Sequence, residues 1–329
     1  MYYNLIKTPA VVKTGKHIIG KLDQYLQEAH LFYPNKILVT QECLYEDYKD
    51  VFKSDFHQII FVKGGTIEEA PSLLELLTDK ESLIVAFGGG SVLDLVKYCA
   101  SKKDIAYINL PSTLSNDAVY SCVARLSCDG KKTSYGVQPP VGIVVDFDII
   151  KRSPKKLVLA GVADIVSNLS ACEDWLLSHN NTGEKINEMA YMLAKEAALP
   201  LFDHGDDFMS DAFLFDLTNS IVTSGLSMII SGDTRGTSGA EHLISHAIDE
   251  YFPEKSTIHG LQVGWAHLFI EKNIRKNEFE TNRLEKLFSK IGLLDVLKEE
   301  IPWSDDEFES LIPYARKIRK RYTVFNILA

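Results

Sequence analysis

Between Ser231 and Gly264 the chain reads SGDTRGTSGAEHLISHAIDEYFPEKSTIHGLQVG, and three of its nine histidines, His242, His246 and His259, fall in this stretch among small residues. His242 and His246 are four residues apart, so on a helix they share one face. His259 precedes Gly260, a position where one backbone can approach another closely. Imidazole is the commonest side-chain ligand of a catalytic divalent metal, and two histidines with one carboxylate leave a coordination position open for substrate. The carboxylate candidate lies upstream in AGVADIVSNLSA, where Asp164 is flanked by apolar and small residues. A charge there is costly unless something satisfies it, and a metal or a helix terminus would do so. Asp164, His242 and His259 together form a two-histidine, one-carboxylate set of the kind that holds zinc or iron. Asn168 follows Asp164 by one turn on the same helical face.

A second chemistry is written in LIVAFGGGSVLDLVKYCA, a strand, three glycines and a helix in direct succession. Gly88, Gly89 and Gly90 allow a tight turn and a close backbone approach to a ligand. Ser91 is expected to cap the helix and Asp94 to lie in its first turn, where open N–H groups and the positive dipole end attract a pyrophosphate. GGGS is not the GxGxxG fingerprint, and a glycine turn without a ligand has the same appearance. The next strand ends in PSTLSNDAVYS (111–121), whose hydroxyls and amides fall at the carboxyl edge where open α/β sheets bind ligands. The first readable strand ends in Thr40, followed by Gln41 and Glu42; Thr40 neither repels nor clamps a 2′-phosphate, so NAD and NADP both stay open. Arg235 is the candidate for a substrate phosphate, because a guanidinium can bind one through two parallel hydrogen bonds; a carboxylate or solvent contact is the competing reading.

The elements that must position these residues are legible as short apolar runs. KILVT (36–40), QIIFVK (58–63), LIVAF (83–87), IAYINL (105–110) and GIVVDF (142–147) read as strands. The spacing predicts helices over 67–77 and 91–100. Continuous apolar strands alternating with helices predict a mostly parallel sheet covered on both faces. From Lys155 onward the periodicity is helical, as in 186–199, 212–230 and 261–272, and no strand is recognisable. The expected organisation is therefore an α/β, Rossmann-like nucleotide-binding domain over 1–152 and an all-α metal- and substrate-binding domain over 153–329.

Composition narrows the function classes. A net charge of −10 argues against a nucleic-acid partner, which requires a concentrated basic surface. Five cysteines without a CxxC pair suit free thiols in a reducing cytoplasm. The start MYYNLIKTPAVVKTGK lacks the apolar core of a signal peptide, and no apolar run reaches membrane-spanning length, so a cytoplasmic chain without membrane insertion is expected. An apolar helical domain of this size suits a homo-oligomer.

In order, GGGSVLD, PSTLSND, GVAD, and SGAEHLISH followed by HG resemble the iron-type (group III) alcohol dehydrogenase and dehydroquinate synthase superfamily, over roughly residues 10 to 270. Within it the chain is most similar to the glycerol-1-phosphate dehydrogenase group, with glycerol dehydrogenase as near relative. The resemblance implies the dehydroquinate synthase-like fold. It also implies metal ligation by Asp164, His242 and His259, with zinc as the metal, because Asn168, standing where related iron enzymes carry a fourth ligand, is similar to the three-ligand, zinc-using branch. It gives NAD or NADP contacts to Gly90, Ser91, Asp94, Ser112, Thr113, Ser115 and Ser121, and substrate-side positions to Asp117 and His246. The implied reaction is hydride transfer between a nicotinamide and a small polyol or polyol phosphate. The alternatives are a dehydrogenase for free glycerol or another polyol, and a cyclising synthase with no net oxidation. The TRGTSGAEH stretch and the loop after Asp117 depart from the usual glycerol-1-phosphate pattern near the implied substrate pocket.

Overall fold

The structure, a computed structural model, describes residues 8–204 and 207–328; residues 1–7, part of the stretch read for a signal peptide, lie outside it. Two compact units divide the chain: one built from residues up to 114 and 118–154, the other from 115–117 and from 155 onward.

The first unit is built on strands β1 (Val11–Gly15), β2 (Lys36–Thr40), β3 (Gln58–Phe61), β4 (Leu83–Gly88) and β5 (Ala106–Pro111), a hairpin of β6 (Val123–Cys128) and β7 (Lys131–Gly136), and β8 (Gly142–Asp146). Its helices are α1 (Leu22–Glu28), α2 (Glu42–Tyr48), α3 (Ala70–Leu76), α4 (Gly90–Lys103) and α5 (Phe147–Arg152). Six strands form one sheet in the order β1-β8-β5-β4-β2-β3, every pairing parallel. All six residues of β4 are buried, as a central strand covered on both faces requires. Leu83, Val85 and Phe87 join Ile108, Leu110, Val144 and the α1 residues Leu22 and Leu26 in one core. The alternate residues Ile84 and Ala86 are equally buried, as the two-residue period of a strand dictates. The register pairs Gly88 with Pro111, so the glycine turn and the PST loop leave the same edge side by side. Among the strands, β1 and the hairpin went unanticipated; the hairpin's turn is Asp129-Gly130 with both residues at positive φ.

The second unit carries α6 (Lys155–Val166), α7 (Asn168–Thr182), α8 (Glu188–Ala198), α9 (Asp211–Ser231), α10 (Ala240–Tyr251), α11 (His259–Phe269), α12 (Glu278–Lys290), α13 (Leu293–Glu300) and α14 (Asp305–Ile318), and no strand among its described residues. A π-helical turn, Ile270–Arg275, continues α11. The 21-residue α9 is long and apolar enough to cross a membrane by length alone, yet 61% of its most apolar window is buried inside the protein. Phe213, Leu214, Leu217 and Ile221 are completely enclosed, as befits a core helix.

The crossing of α6 and α11 has direct consequences for the histidines. A Cβ added at Gly260 would lie 2.1 Å from the Ala160 carbonyl oxygen, and one at Gly264 2.6 Å from the Ala163 Cβ. Only glycine facing alanine lets these helices approach so closely. The close crossing is what brings His259, first residue of α11, against Asp164 near the end of α6.

Candidate metal and nucleotide sites

Asp164, His242 and His259 converge in the helical unit, one ligand atom from each lying within 4.8 Å of the others. Asp164 is 5% exposed. Its Oδ2 accepts the Asp117 backbone N–H at 3.3 Å, while Oδ1 is buried and accepts no hydrogen bond among the described residues. That second oxygen faces His242 Nε2 at 3.4 Å and His259 Nε2 at 3.8 Å. A buried anionic oxygen aimed at two ring nitrogens needs a cation, a role that a protonated His242 or a metal can fill. The donor set and its orphaned oxygen fit a divalent metal.

What fixes the rings supports the same assignment. His242 Nδ1 donates to Glu241 Oε1 at 3.0 Å, and the same oxygen accepts the Gly239 N–H at 2.6 Å. Burial alone would raise the Glu241 pKa; the His242 imidazole and the Gly239 amide outweigh it and hold it at about 2. Burial likewise presses the His242 pKa down, and the Asp164 and Glu241 carboxylates overcome this and raise it to about 9. A metal would take that proton's place on Nε2. At His259 the partner is Ser245: its hydroxyl donates to Gln262 Oε1 at 2.7 Å, so it accepts from His259 Nδ1–H at 2.9 Å. Each of these two histidines thus has its Nδ1 held from behind and its Nε2 turned toward Asp164, where a metal would take the place of any proton. Glu241 and Ser245 were missed in the sequence, although their adjacency to His242 and His246 was visible.

His246 sits beside the two ligand histidines, its ring centroid 6.1 Å from that of His242 and 5.9 Å from that of His259, nearly parallel to the latter. Arg319 Nη2 lies 3.0 Å from His246 Nδ1. A guanidinium has only protons to give, so Nδ1 accepts and the neutral ring carries its proton on Nε2. The start of α10 is held by Asp174, which accepts the Ala240 N–H at 2.7 Å and the Val324 N–H at 2.9 Å and pairs with Arg275 at 2.7 Å.

Two expectations need correction here. Arg235 is not presented to a phosphate: it is 3% exposed, its Nε and Nη2 grip the two oxygens of Glu184 at 2.9 and 2.7 Å, and Nη2 also donates to the Tyr322 carbonyl. Its remaining nitrogen, Nη1, is buried without an acceptor among the described residues. Asn168 does not extend the face of α6. It opens α7, and its amide donates to the Ala194 carbonyl at 3.1 Å and to the Ser224 hydroxyl at 3.0 Å.

In the α/β unit, Gly89 is the N-cap of α4 in extended conformation, with no side-chain cap. Ser91, expected to cap, is the second helical residue and exposed, and Asp94 lies beyond the first turn. The turn starts two residues earlier than read because a Cβ at Gly88 would meet Val92 at 2.7 Å, which seats the glycine directly on the helix. Beside Gly89 stands Thr113, whose buried Oγ1 has no hydrogen-bond partner among the described residues. An uncapped helix start next to an orphaned hydroxyl, at the carboxyl edge of two parallel strands, fits a nucleotide phosphate. Ser112 is half-buried in the same loop, and its backbone N–H donates to the Gly88 carbonyl at 2.9 Å. Two residues expected at the cofactor are committed elsewhere. Asp94 pairs with the fully buried Lys97 at 2.8 Å and accepts the Arg125 N–H at 3.1 Å. Ser121 is fully buried, accepting from Lys97 at 2.9 Å and donating to the Val123 carbonyl at 3.0 Å. Both carry the loop and not the ligand. Ser115 and Asp117 are half-buried and belong to the helical unit. All five cysteines are free.

Comparison with known proteins gives the family. Residues 13–154 match the family of iron-containing alcohol dehydrogenases. A glycerol-1-phosphate dehydrogenase [NAD(P)+] of Pyrococcus horikoshii is 32% identical over 79% of this chain and 77% of its own. The corresponding protein of Methanococcus aeolicus is 34% identical over 97% of this chain and 94% of its own. Among solved structures, a probable glycerol dehydrogenase from Sinorhizobium meliloti shares the fold with a TM-score of 0.75 at 17% identity, covering 96% of this chain and 91% of that one. The chain belongs to the iron-containing alcohol dehydrogenase family.

Proposed function

We propose that this family member is an NAD(P)-dependent, zinc-dependent dehydrogenase that interconverts sn-glycerol 1-phosphate and dihydroxyacetone phosphate by hydride transfer. The observation that carries the reading is the unpartnered Asp164 Oδ1 facing two imidazole Nε2 atoms, each oriented from behind, in a chain whose relatives at 32–34% identity bear that activity in their names. When bound, the metal supplies Lewis acidity at the substrate oxygen and the nicotinamide gives or takes the hydride.

The chain's own residues hold and orient. Asp164, His242 and His259 would bind the metal, and three protein ligands leave it a position for substrate. Zinc is preferred because Asn168, a neutral amide spent on Ala194 and Ser224, supplies no fourth ligand. Gly88, Gly89, Gly90, Ser91, Ser112 and Thr113 would receive the nucleotide phosphates. His246 offers Nε2–H as a hydrogen-bond donor to the substrate oxygen. A proton relay would require the ring to become cationic against the guanidinium on its Nδ1, so the donor role is favoured. Asp117 fixes Asp164 through its backbone N–H and stands on the substrate side. The substrate is then a small polyol phosphate handled in the cytoplasm without membrane insertion, a reading that the buried, core-forming α9 supports.

The test is oxidation of NADH and NADPH by zinc-loaded protein, with dihydroxyacetone phosphate and dihydroxyacetone compared. Turnover favouring the phosphate is expected. A preference for free dihydroxyacetone would move the assignment to a polyol dehydrogenase, and no net consumption of reduced nucleotide with either would sink the dehydrogenase reading.

A further inference from the structure

Helix α7 follows α6 after a single residue, Ser167, so the segment that carries Asp164 runs directly into the one that carries Asp174. Asp174 is completely buried. Its Oδ2 accepts the N–H of Ala240, the first residue of α10, which stands two positions before His242. Its Oδ1 accepts the Val324 N–H at 2.9 Å and pairs with Arg275 Nη2 at 2.7 Å. Arg275 closes the π-helical turn that continues α11, the helix that His259 opens. The same guanidinium donates to the Ser170 carbonyl at 3.1 Å, to the Ser170 hydroxyl at 2.9 Å and to Glu271. One carboxylate therefore joins the three stretches that deliver Asp164, His242 and His259. Single π-helical turns of this kind are frequent at functional sites.

We propose that Asp174 is a positioning residue of the metal cluster, setting the mutual register of the three ligand-bearing segments without itself contacting a ligand. This rests on the reading of that cluster as a zinc site. The chemistry of the joint supports the role. Both oxygens of Asp174 accept from N–H donors, so the group is held as the carboxylate, and an amide in its place would turn an NH2 group against one of those donors. The Ala240 amide is one of the unpaired N–H groups at the start of α10, where the helix dipole also favours an anion. The seat is close as well: a Cβ at Gly239 would lie 2.7 Å from Asp174 Oδ2 and 2.8 Å from the Ala171 Cα, so α10 begins directly on α7. From that fixed start the chain reaches Glu241 and then His242, whose Nδ1 Glu241 holds at 3.0 Å. A buried ion pair is poor evidence of stability, because desolvation offsets its attraction; what this one provides is the register of the helices it joins.

The test compares wild type, Asp174→Asn and Arg275→Lys in two measurements on folded protein. The first is the zinc Kd by chelator competition. The second is the visible absorption of the cobalt(II)-substituted protein, which responds to coordination geometry. Lost stability alone moves neither, provided that thermal unfolding shows each variant folded at the assay temperature. Asp174→Asn should weaken zinc binding by about 10- to 100-fold and alter the cobalt spectrum. Arg275→Lys keeps a cation beside Asp174 and leaves the bond to Ala240 intact, so its loss should be smaller, below about 10-fold. If Asp174→Asn does not fold, the milder variant decides: weakened zinc binding with an altered spectrum supports the role, and wild-type values overturn it. A folded Asp174→Asn with wild-type Kd and spectrum overturns the assignment while the zinc site stands. Arg275→Lys proving the more damaging of the two would also overturn it, by moving the role to the arginine. A wild-type protein that binds no zinc would remove the metal reading, and this inference with it.

Discussion

Gly260 is the position at which a single methyl group should separate the metal ligands. An alanine Cβ there would sit 2.1 Å from the Ala160 carbonyl oxygen and 2.7 Å from its carbon, both backbone atoms that no rotamer change can move. To reach even the 3.0 Å below which such contacts essentially do not occur, α11 must back away from α6 by about 0.9 Å. His259 begins α11 and Asp164 lies in the last turn of α6, so the displacement acts directly on the 3.8 Å gap between their facing atoms. Metal–ligand distances tolerate only about 0.2 Å, so the shift exceeds tolerance several-fold. Zinc affinity should fall by at least the 10- to 100-fold typical of a damaged outer shell, about 1.4–2.7 kcal/mol. Overpacking should lower stability by about 1–3 kcal/mol, toward the top of that range because backbone meets backbone. Gly264→Ala is the graded control: its 2.6 Å contact is with the Ala163 methyl and opens with a movement of about 0.4 Å, so both effects should be smaller. Chelator competition gives the zinc Kd, and thermal unfolding of the metal-free proteins gives the packing cost alone. A Gly260→Ala protein with the wild-type zinc Kd would refute the claim that this crossing sets the ligand geometry, as would Gly264→Ala proving the more damaging.

Three further outcomes can be measured. Glu241→Gln keeps the shape behind His242 but removes the negative charge on its Nδ1–H, so zinc affinity by chelator competition should drop about 10- to 100-fold; an unchanged Kd would remove Glu241 from the metal site. His267 is fully buried with neither ring nitrogen hydrogen-bonded among the described residues, and burial lowers its pKa from 6.5 to about 3. The unfolded chain therefore takes up this proton first on acidification: the stability is fully present above about pH 6.5 and is lost as pH falls toward 3, at up to about 1.4 kcal/mol per unit. His267→Leu should narrow the gap between the unfolding free energies at pH 7.5 and 5.0 by up to about 2 kcal/mol, and an unaltered gap would show that the acid sensitivity arises elsewhere. Arg235→Ala should lower the thermal midpoint by breaking the grip on Glu184 while leaving the ratio between phosphorylated and free ketone close to wild type; a collapse of that ratio would return Arg235 to the substrate.

The sequence was most informative where chemistry and backbone sterics coincide. His259-Gly260 combines a ligand with the absence of a Cβ that its own approach to Asp164 demands, and GGG follows a fully buried strand at the edge where a helix must begin. Both could be read from adjacent residues. Short apolar strands were legible for the same reason, because burial on both faces leaves a continuous run. The β6–β7 hairpin was not, although Asp129-Gly130 is a strong turn signal, because the Lys131–Gly136 strand is mostly exposed and shows no apolar alternation. Ser91 and Asp94 failed as local readings since helix α4 begins at a glycine and Lys97, one turn on, draws Asp94 into a buried pair.

The arginines mark where local reading ends. A long flexible side chain goes to whatever charge the fold brings within reach, and those partners are remote: Glu184 lies 51 residues from Arg235, and His246 lies 73 from Arg319. Arg235 was the natural choice for a phosphate because it neighbours the histidines in sequence, yet that proximity says nothing about which acceptor its fork meets first. The run of five cations over 316–321 lay beyond the stretch whose motifs carried the resemblance. A basic run is usually a solvated face. What distinguishes this one is that α14 stops at Ile318 and turns Arg319 back onto His246, while Arg321 is drawn in among backbone carbonyls. The candidate metal cluster could thus be read from spacing, whereas the neighbour that Arg319 meets depends on where one helix ends.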